Sequence, residues 1–178
     1  NPWRTALGYL SLDPSLESAF AGAFRGVSSQ ERSVVEGQLR TGINAPEASS
    51  MGRLFDAAAA VLGLRRRCSF DGQAAMELEA AARRCGRERL PLSDRGLGIE
   101  LPGRGSREIP LLAVVRHPPG TRILDPLHLL AALGEARQEG VPVDELALAF
   151  HQAVCGGVSA VARDVAAELL DIYARRAA

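Results

Sequence analysis

Apolar residues near the end of this chain step by three or four: Phe150, Val154, Val158, Val161, Val165, Leu169, Ile172. That spacing puts one apolar stripe along an α-helix, whereas a strand alternates every second residue. Asp144 is the expected cap, and no proline breaks the run that follows it. Gly156-Gly157 interrupts the stripe, which implies either a kink or a site of close packing.

The preceding sequence carries more helices. Asn1-Pro2 reads as an N-cap and first helical position, with Trp3, Ala6, Leu7 and Leu10 on one face. Asp13-Pro14 starts a second helix, striped by Leu16, Ala19, Phe20, Ala23 and Phe24 and stopped near Gly26. Ser28 and Glu31 have capping-box spacing, and that helix should run to about Gly42. Ser50 is the expected cap of a helix striped by Leu54, Ala58, Val61 and Leu62. Asp71 is the expected cap of another, striped by Ala75, Leu78, Ala82 and Cys85. Between about 90 and 121 glycine and proline become frequent and two apolar runs appear, Leu97 to Leu101 and Ile109 to Val115. These predict a small β-hairpin or edge sheet near 97–116, with Gly103-Arg104-Gly105 in the turn. Asp125-Pro126 opens a helix ending at Gly140. The expected class is mainly α (α+β), with helices over about 1–89 and 125–177, as one partial domain over 1–178.

Composition narrows the function. All 21 basic residues are arginine, so neither a Schiff-base lysine nor a phosphate-loop lysine is available. The net charge of zero gives no electrostatic reason to expect nucleic acid. No apolar run approaches the roughly 18 residues of a membrane helix. Cys68, Cys85 and Cys155 are odd in number and widely spaced, which argues against a disulfide framework and fits a reducing cytoplasm. His117, His128 and His151 are equally scattered, so no metal site is expected from this chain alone. A chain opening at Asn1 is expected to be part of a longer one.

Two runs carry possible chemistry: Ser49-Ser50-Met51-Gly52-Arg53-Leu54-Phe55-Asp56-Ala57, and Asp71-Gly72-Gln73-Ala74-Ala75-Met76-Glu77-Leu78-Glu79. Both lie at helix starts, where unpaired N–H groups and a partial positive charge attract phosphate. Gly52 and Gly72 would let a ligand approach the backbone. Asp56 and Glu77, each about one turn into a helix, could accept hydrogen bonds from ribose hydroxyls, and Gln73 offers a donor and an acceptor. Arg53 could face an anion with two parallel N–H groups. The same residues also fit two ordinary capped, alanine-rich helices with solvated acids, and Arg65-Arg66-Arg67 fits a solvated helix end.

The two runs, with Leu62-Gly63 between them, closely resemble the hydrogenase maturation carbamoyltransferases of the HypF type. The opening Asn1-Pro2-Trp3-Arg4-Thr5-Ala6-Leu7 resembles the Pro-Trp-Arg segment of that family, and Leu124-Asp125-Pro126 and Phe150-His151 follow in its order. The resemblance implies the helical part of a transferase domain with an actin-like ATPase fold. It implies use of carbamoyl phosphate and ATP to make carbamoyl adenylate. The carbamoyl group then passes to the C-terminal cysteine of the partner HypE, where it becomes the cyanide ligand of a nickel–iron centre. Carried over by motif, Gly52, Asp56, Gly72, Gln73 and Glu77 are implied contacts to the adenylate, and Arg53 a contact to the carbamoyl-phosphate end.

The chain departs from the family pattern in ways that matter. Ala48-Ser49-Ser50 stands where Thr-Ser-Ser is usual. A His-rich metal motif and a glycine-rich strand are expected only in segments outside these residues, and with them any iron or zinc. The isolated chain is therefore expected to be inactive. Expected partners are HypE, the remaining domains of the parent protein and, through an exposed apolar face of the last helix, a second copy. An antibiotic-tailoring O-carbamoyltransferase and a noncatalytic helical interaction module are the alternatives.

Overall fold

The computed structural model describes residues 1–117 and 121–177. Residues 118–120 of the expected β-containing segment, and Ala178, lie outside the described residues. Among the described residues, seven α-helices and two β-hairpins follow one another: α1 Pro2–Leu10, α2 Glu17–Phe24, α3 Ser29–Thr41, α4 Met51–Val61, α5 Gln73–Arg84, β1 Leu97–Leu101, β2 Gly105–Ile109, β3 Ala113–His117, β4 Thr121–Asp125, α6 Leu127–Gln138 and α7 Val143–Ala177.

A side-chain cap closes the start of α3 and of the 3-10 turn before α2. Asn1 precedes α1 with Pro2 in its first turn. At α3 the capping box is closed in both directions: Glu31 N–H donates to Ser28 Oγ at 3.2 Å and Ser28 N–H to Glu31 Oε2 at 3.1 Å. Asp13 caps a short 3-10 turn, Pro14–Leu16, that leads into α2, so the second helix begins later than Asp13-Pro14 suggests. The last helix starts at Val143, which puts Asp144 inside its first turn rather than at the cap.

The core joins all the helices. α1 packs on α4, α5 on α7, and α2 on both α4 and α6. Phe20, Val61, Leu78, Leu129, Leu130, Leu133, Leu146 and Phe150 are fully buried there. Each large apolar side chain so buried contributes about 1.5–3 kcal/mol. The α2–α6 crossing is close enough to demand glycine. A Cβ at Gly134 would lie 1.9 Å from the Ala19 carbonyl oxygen. The α2–α4 contact is as close: a Cβ at Gly22 would lie 2.3 Å from the Val61 carbonyl oxygen. On α5 the buried positions are Ala74, Leu78 and Ala81. Ala75, Ala82 and Cys85 are only half-buried, so the core-facing stripe is rotated from the one expected.

The β-region differs from the single hairpin expected. β1 pairs antiparallel with β2, Leu97 opposite Ile109 and Leu101 opposite Gly105, around the expected glycine turn. A separate hairpin pairs β3 with β4, Ala113 opposite Asp125 and Val115 opposite Ile123. β2 is Gly-Ser-Arg-Glu-Ile, whose one large apolar side chain leaves no periodic signal. Ion pairs hold each hairpin to a helix. Arg107 of β2 reaches Glu135 at 2.6 Å and Glu139 at 2.9 Å on α6. Arg116 reaches Asp164 at 2.9 Å on α7, and Arg122 pairs with Glu168.

In α7 the glycine pair marks close packing. A Cβ at Gly157 would lie 2.7 Å from both the Leu112 carbonyl oxygen and its Cβ. Up to Val154 the stripe is buried; beyond it Val158, Val165, Leu169 and Ile172 are exposed. Among the described residues no helix is long and apolar enough to cross a membrane.

Candidate functional site

The run Met51–Val61 forms α4, whose cap residue Ser50 makes no side-chain cap bond. The first turn is therefore left without a side-chain acceptor. Gly52 lies in that turn with open space where a Cβ would stand. Leu54, Ala57, Ala58 and Val61 turn inward and fix the helix on α1 and α2. Asp56 is carried inward with them and is the one charged residue buried among the described residues.

Burying a carboxylate is costly unless it is paired. Asp56 Oδ2 lies 2.8 Å from Arg53 Nη1, one turn earlier on the same helix. Arg53 is 44% exposed in its side chain, so one end of the pair is solvated and the other is not. Burial pushes the Asp56 carboxyl above the usual carboxylate range; Arg53 opposes the shift and the nearby Asp71 adds to it. α5 packs against α4. Phe55 meets the Phe150 ring edge-on at 4.9 Å and the His151 ring at 5.5 Å, which ties α4 to α7. His151 is oriented by its Nδ1, 2.7 Å from the Ala147 carbonyl oxygen.

The second run opens on Gly72 rather than Asp71. Gly72 is the N-cap of α5, in the left-handed conformation at φ 81°, and it makes no side-chain cap bond. Only glycine adopts this conformation at little cost. A Cβ there would meet nothing within 4 Å, so the space above the helix start is open. Asp71 is one position too early to cap this helix.

Gln73 and Glu77 bind each other. Ser69 N–H donates to Gln73 Oε1 at 2.8 Å, and Gln73 Nε2 donates to Glu77 Oε1 at 3.0 Å. Arg65 Nε donates to Glu77 Oε2 at 2.8 Å and its Nη2 to Oε1. The bidentate arginine holds the Glu77 carboxyl below its usual range, with help from Gln73. This chain of contacts fixes the turn between α4 and α5.

The arginine triplet is also engaged. Arg65 binds Glu77 on α5, Arg66 Nε donates to the Gly22 carbonyl oxygen of α2 at 2.9 Å, and Arg67 pairs with Glu31 of α3 at 2.5 Å. It is a three-way clasp, not a solvated helix end, and no local pattern reveals partners 12, 44 and 36 residues away. Gly52 and Gly72 thus leave open backbone at two helix starts and Arg53 a solvated guanidinium, Asp56 is buried behind it, and Gln73 and Glu77 brace the turn before α5. Among the described residues no three His, Cys, Asp or Glu side chains are grouped to hold a metal ion. The three cysteines are free thiols.

Comparison with known proteins agrees with the motifs. Carbamoyltransferase HypF of Rhizobium leguminosarum bv. viciae is 40% identical over 88 residues, covering 46% of this chain and 10% of that protein. Carbamoyltransferase HypF of Rhodobacter capsulatus is 44% identical over 85 residues, covering 46% of this chain and 11% of that protein. A crystal structure of full-length HypF in the phosphate- and nucleotide-bound form superposes with a TM-score of 0.71 at 26% identity, covering 93% of this chain and 19% of the other. The chain thus spans between about a tenth and a fifth of the length of these relatives. A family model for the second subdomain of the carbamoyltransferase Kae1-like domain matches residues 1–172, and the chain belongs to that family.

Proposed function

We propose that this chain forms the helical wall of a nucleotide cleft in a carbamoyltransferase. The reaction converts carbamoyl phosphate and ATP into carbamoyl adenylate and passes the carbamoyl group to the C-terminal cysteine of HypE during nickel–iron hydrogenase maturation. The observation that carries the reading is Asp56, a buried carboxylate with one solvated partner, beside two uncapped helix starts. Arg53 engages one carboxylate oxygen of Asp56, and ribose hydroxyls are suited to donate to the other. Gly52 and Gly72 leave room for the ligand at the backbone. Gln73 and Glu77 border the cleft, and each retains hydrogen-bonding capacity beyond its present contacts. Arg53 is the proposed contact for the carbamoyl-phosphate end, because its half-exposed guanidinium has N–H donors beyond the one that faces Asp56.

The chain's own residues bind and orient; the reacting groups and any metal are proposed to come from other parts of the parent protein. The isolated chain is accordingly proposed to be inactive and the parent protein cytoplasmic. The exposed stripe of α7 is the proposed contact with companion domains or a second copy. The test is Asp56→Asn in an intact carbamoyltransferase carrying this chain, with labelled carbamoyl transfer to HypE as readout. Loss of a charge-assisted hydrogen bond is expected to weaken nucleotide binding about ten- to a hundredfold. Unchanged nucleotide affinity and transfer would remove the reading.

A further inference from the structure

A cleft of about 360 Å³ opens between the start of α1, the first half of α3 and the turn after α4. That volume falls at the lower end of small-molecule sites. None of its lining residues belongs to the two motif runs at Gly52 and Gly72. Arg4, from the Pro-Trp-Arg segment, lines it together with Trp3, Glu31, Val34, Val35 and Arg67.

The charges in the cleft do not balance. Glu31 is its one carboxylate, and it is already engaged: Oε1 by Arg67 at 2.5 Å and Oε2 by the Ser28 N–H at 3.1 Å. Arg4 is half-buried, and among the described residues its guanidinium donates only to the neutral amide of Gln38. Two arginines against one glutamate leave one positive charge in surplus, and that charge sits on Arg4. Gln38 takes one of its N–H donors and holds the group in place, which lowers the cost of ordering it around a ligand. Trp3 is buried in the same wall, and its indole N–H has no acceptor among the described residues. The wall therefore carries an unanswered donor dipole as well as a surplus charge, and both have the sign that attracts an anion. The remaining lining is apolar. Val35 is buried and Val34 is 57% exposed.

We propose that this cleft binds a carboxylate carried on a small apolar body, with Arg4 as the anchor and Val34 and Val35 against the body. The planar guanidinium matches a carboxylate with two parallel N–H groups, and one surplus charge suits a monoanion rather than a phosphate dianion. The site shares no residue with the proposed nucleotide cleft and stands or falls apart from it. Two sources present this chemistry: a free branched-chain carboxylate, and the C-terminus of a peptide that ends in an apolar residue.

The test is calorimetric titration of the intact carbamoyltransferase carrying this chain, with isovalerate, its neutral analogue isovaleramide, and N-acetyl-glycyl-valine as probes. Isovalerate should bind saturably, and isovaleramide about tenfold more weakly or worse. Arg4→Gln should weaken isovalerate about ten- to a hundredfold, as expected for loss of a charge-assisted hydrogen bond. Val34→Glu changes an exposed position of α3 and places a second acid in the lining; it should weaken isovalerate in the same direction, with the helical circular dichroism unchanged. Tighter binding of the dipeptide than of isovalerate assigns the cleft to a peptide C-terminus; binding no tighter assigns it to a free carboxylate. Absence of saturable binding by both acids overturns the proposal, as does equal binding of isovalerate and isovaleramide. Parental affinity for isovalerate in Arg4→Gln or in Val34→Glu overturns it as well. Displacement of isovalerate by an equal concentration of inorganic phosphate overturns the carboxylate assignment.

Discussion

Gly134 gives the sharpest test of how these helices pack. It lies inside α6, where glycine costs about 1 kcal/mol relative to alanine. By helix propensity alone Gly134→Ala should stabilise the chain. The crossing with α2 reverses the sign. The new Cβ would stand 1.9 Å from the Ala19 carbonyl oxygen, 2.8 Å from the Ala19 carbonyl carbon and 3.1 Å from Val61 Cγ1. Two of these three atoms are backbone, so relief requires α2 and α6 to separate rather than a side chain to rotate. Overpacking of this kind costs roughly 1–3 kcal/mol or more, and the backbone contact puts it at the upper end. Subtracting the propensity gain leaves a net loss of about 2 kcal/mol, or roughly 4–8 °C in Tm for a domain of this size. Gly37→Ala is the matched control. Gly37 is interior to α3, and its Cβ would meet only the tip of Arg40 at 4.0 Å. That variant should gain about 0.5–1 kcal/mol. Urea titrations of both variants, followed by circular dichroism, measure the contrast. A Gly134→Ala chain as stable as the Gly37→Ala chain would refute the close crossing.

Three further outcomes follow from the same geometry. Arg67 and the capping bonds of Ser28 hold Glu31 down to about 2, so its stabilising effect is complete above the usual carboxylate range and is lost as pH falls toward 2; Glu31→Gln should flatten this part of the acid-unfolding profile. Asp56 has the opposite sign. Its carboxyl is raised mainly by burial, so the fold loses stability as pH climbs through its titration, and Asp56→Asn should be at least as stable as the parent chain near neutrality; marked destabilisation in denaturant titrations would show that the Arg53 pair outweighs desolvation. Gly157→Ala should cost roughly 1–3 kcal/mol by pushing α7 from the Leu112 backbone, and amide exchange at Leu112, whose N–H donates to Ala153 O at 3.2 Å, should quicken.

What could be read from the sequence was local. Ser28 and Glu31 identify their own cap because the two halves of the box are three residues apart. The helix run around Asp56 and the glycine turn of the first hairpin are legible for the same reason. The resemblance extended this to the family, since the two motif runs keep their order. The rest depends on distant partners. Arg116 and Arg122 face each other across β3 and β4, a like-charge pair that argues against pairing until Asp164 and Glu168 on α7 are in view. Asp71 is the expected cap from its residue type, yet the helix starts one residue later, on the left-handed backbone of Gly72.

The glycine saddle in α7 also has a mechanical consequence. At about 1.5 Å per residue the helix is roughly 52 Å long, and about 30 Å of it extends beyond Gly157. The first half is clamped in the core through Phe150 and Val154, while the second half touches the body chiefly through the Arg116 and Arg122 ion pairs. That makes the distal half a lever arm with its fulcrum at Gly156-Gly157. A tilt of 5° there would swing the tip by roughly 2.6 Å on the same rise per residue. A load on the tip is therefore felt first by the second hairpin, and the tether of two arginines and two carboxylates, not the core, sets how stiff the arm is.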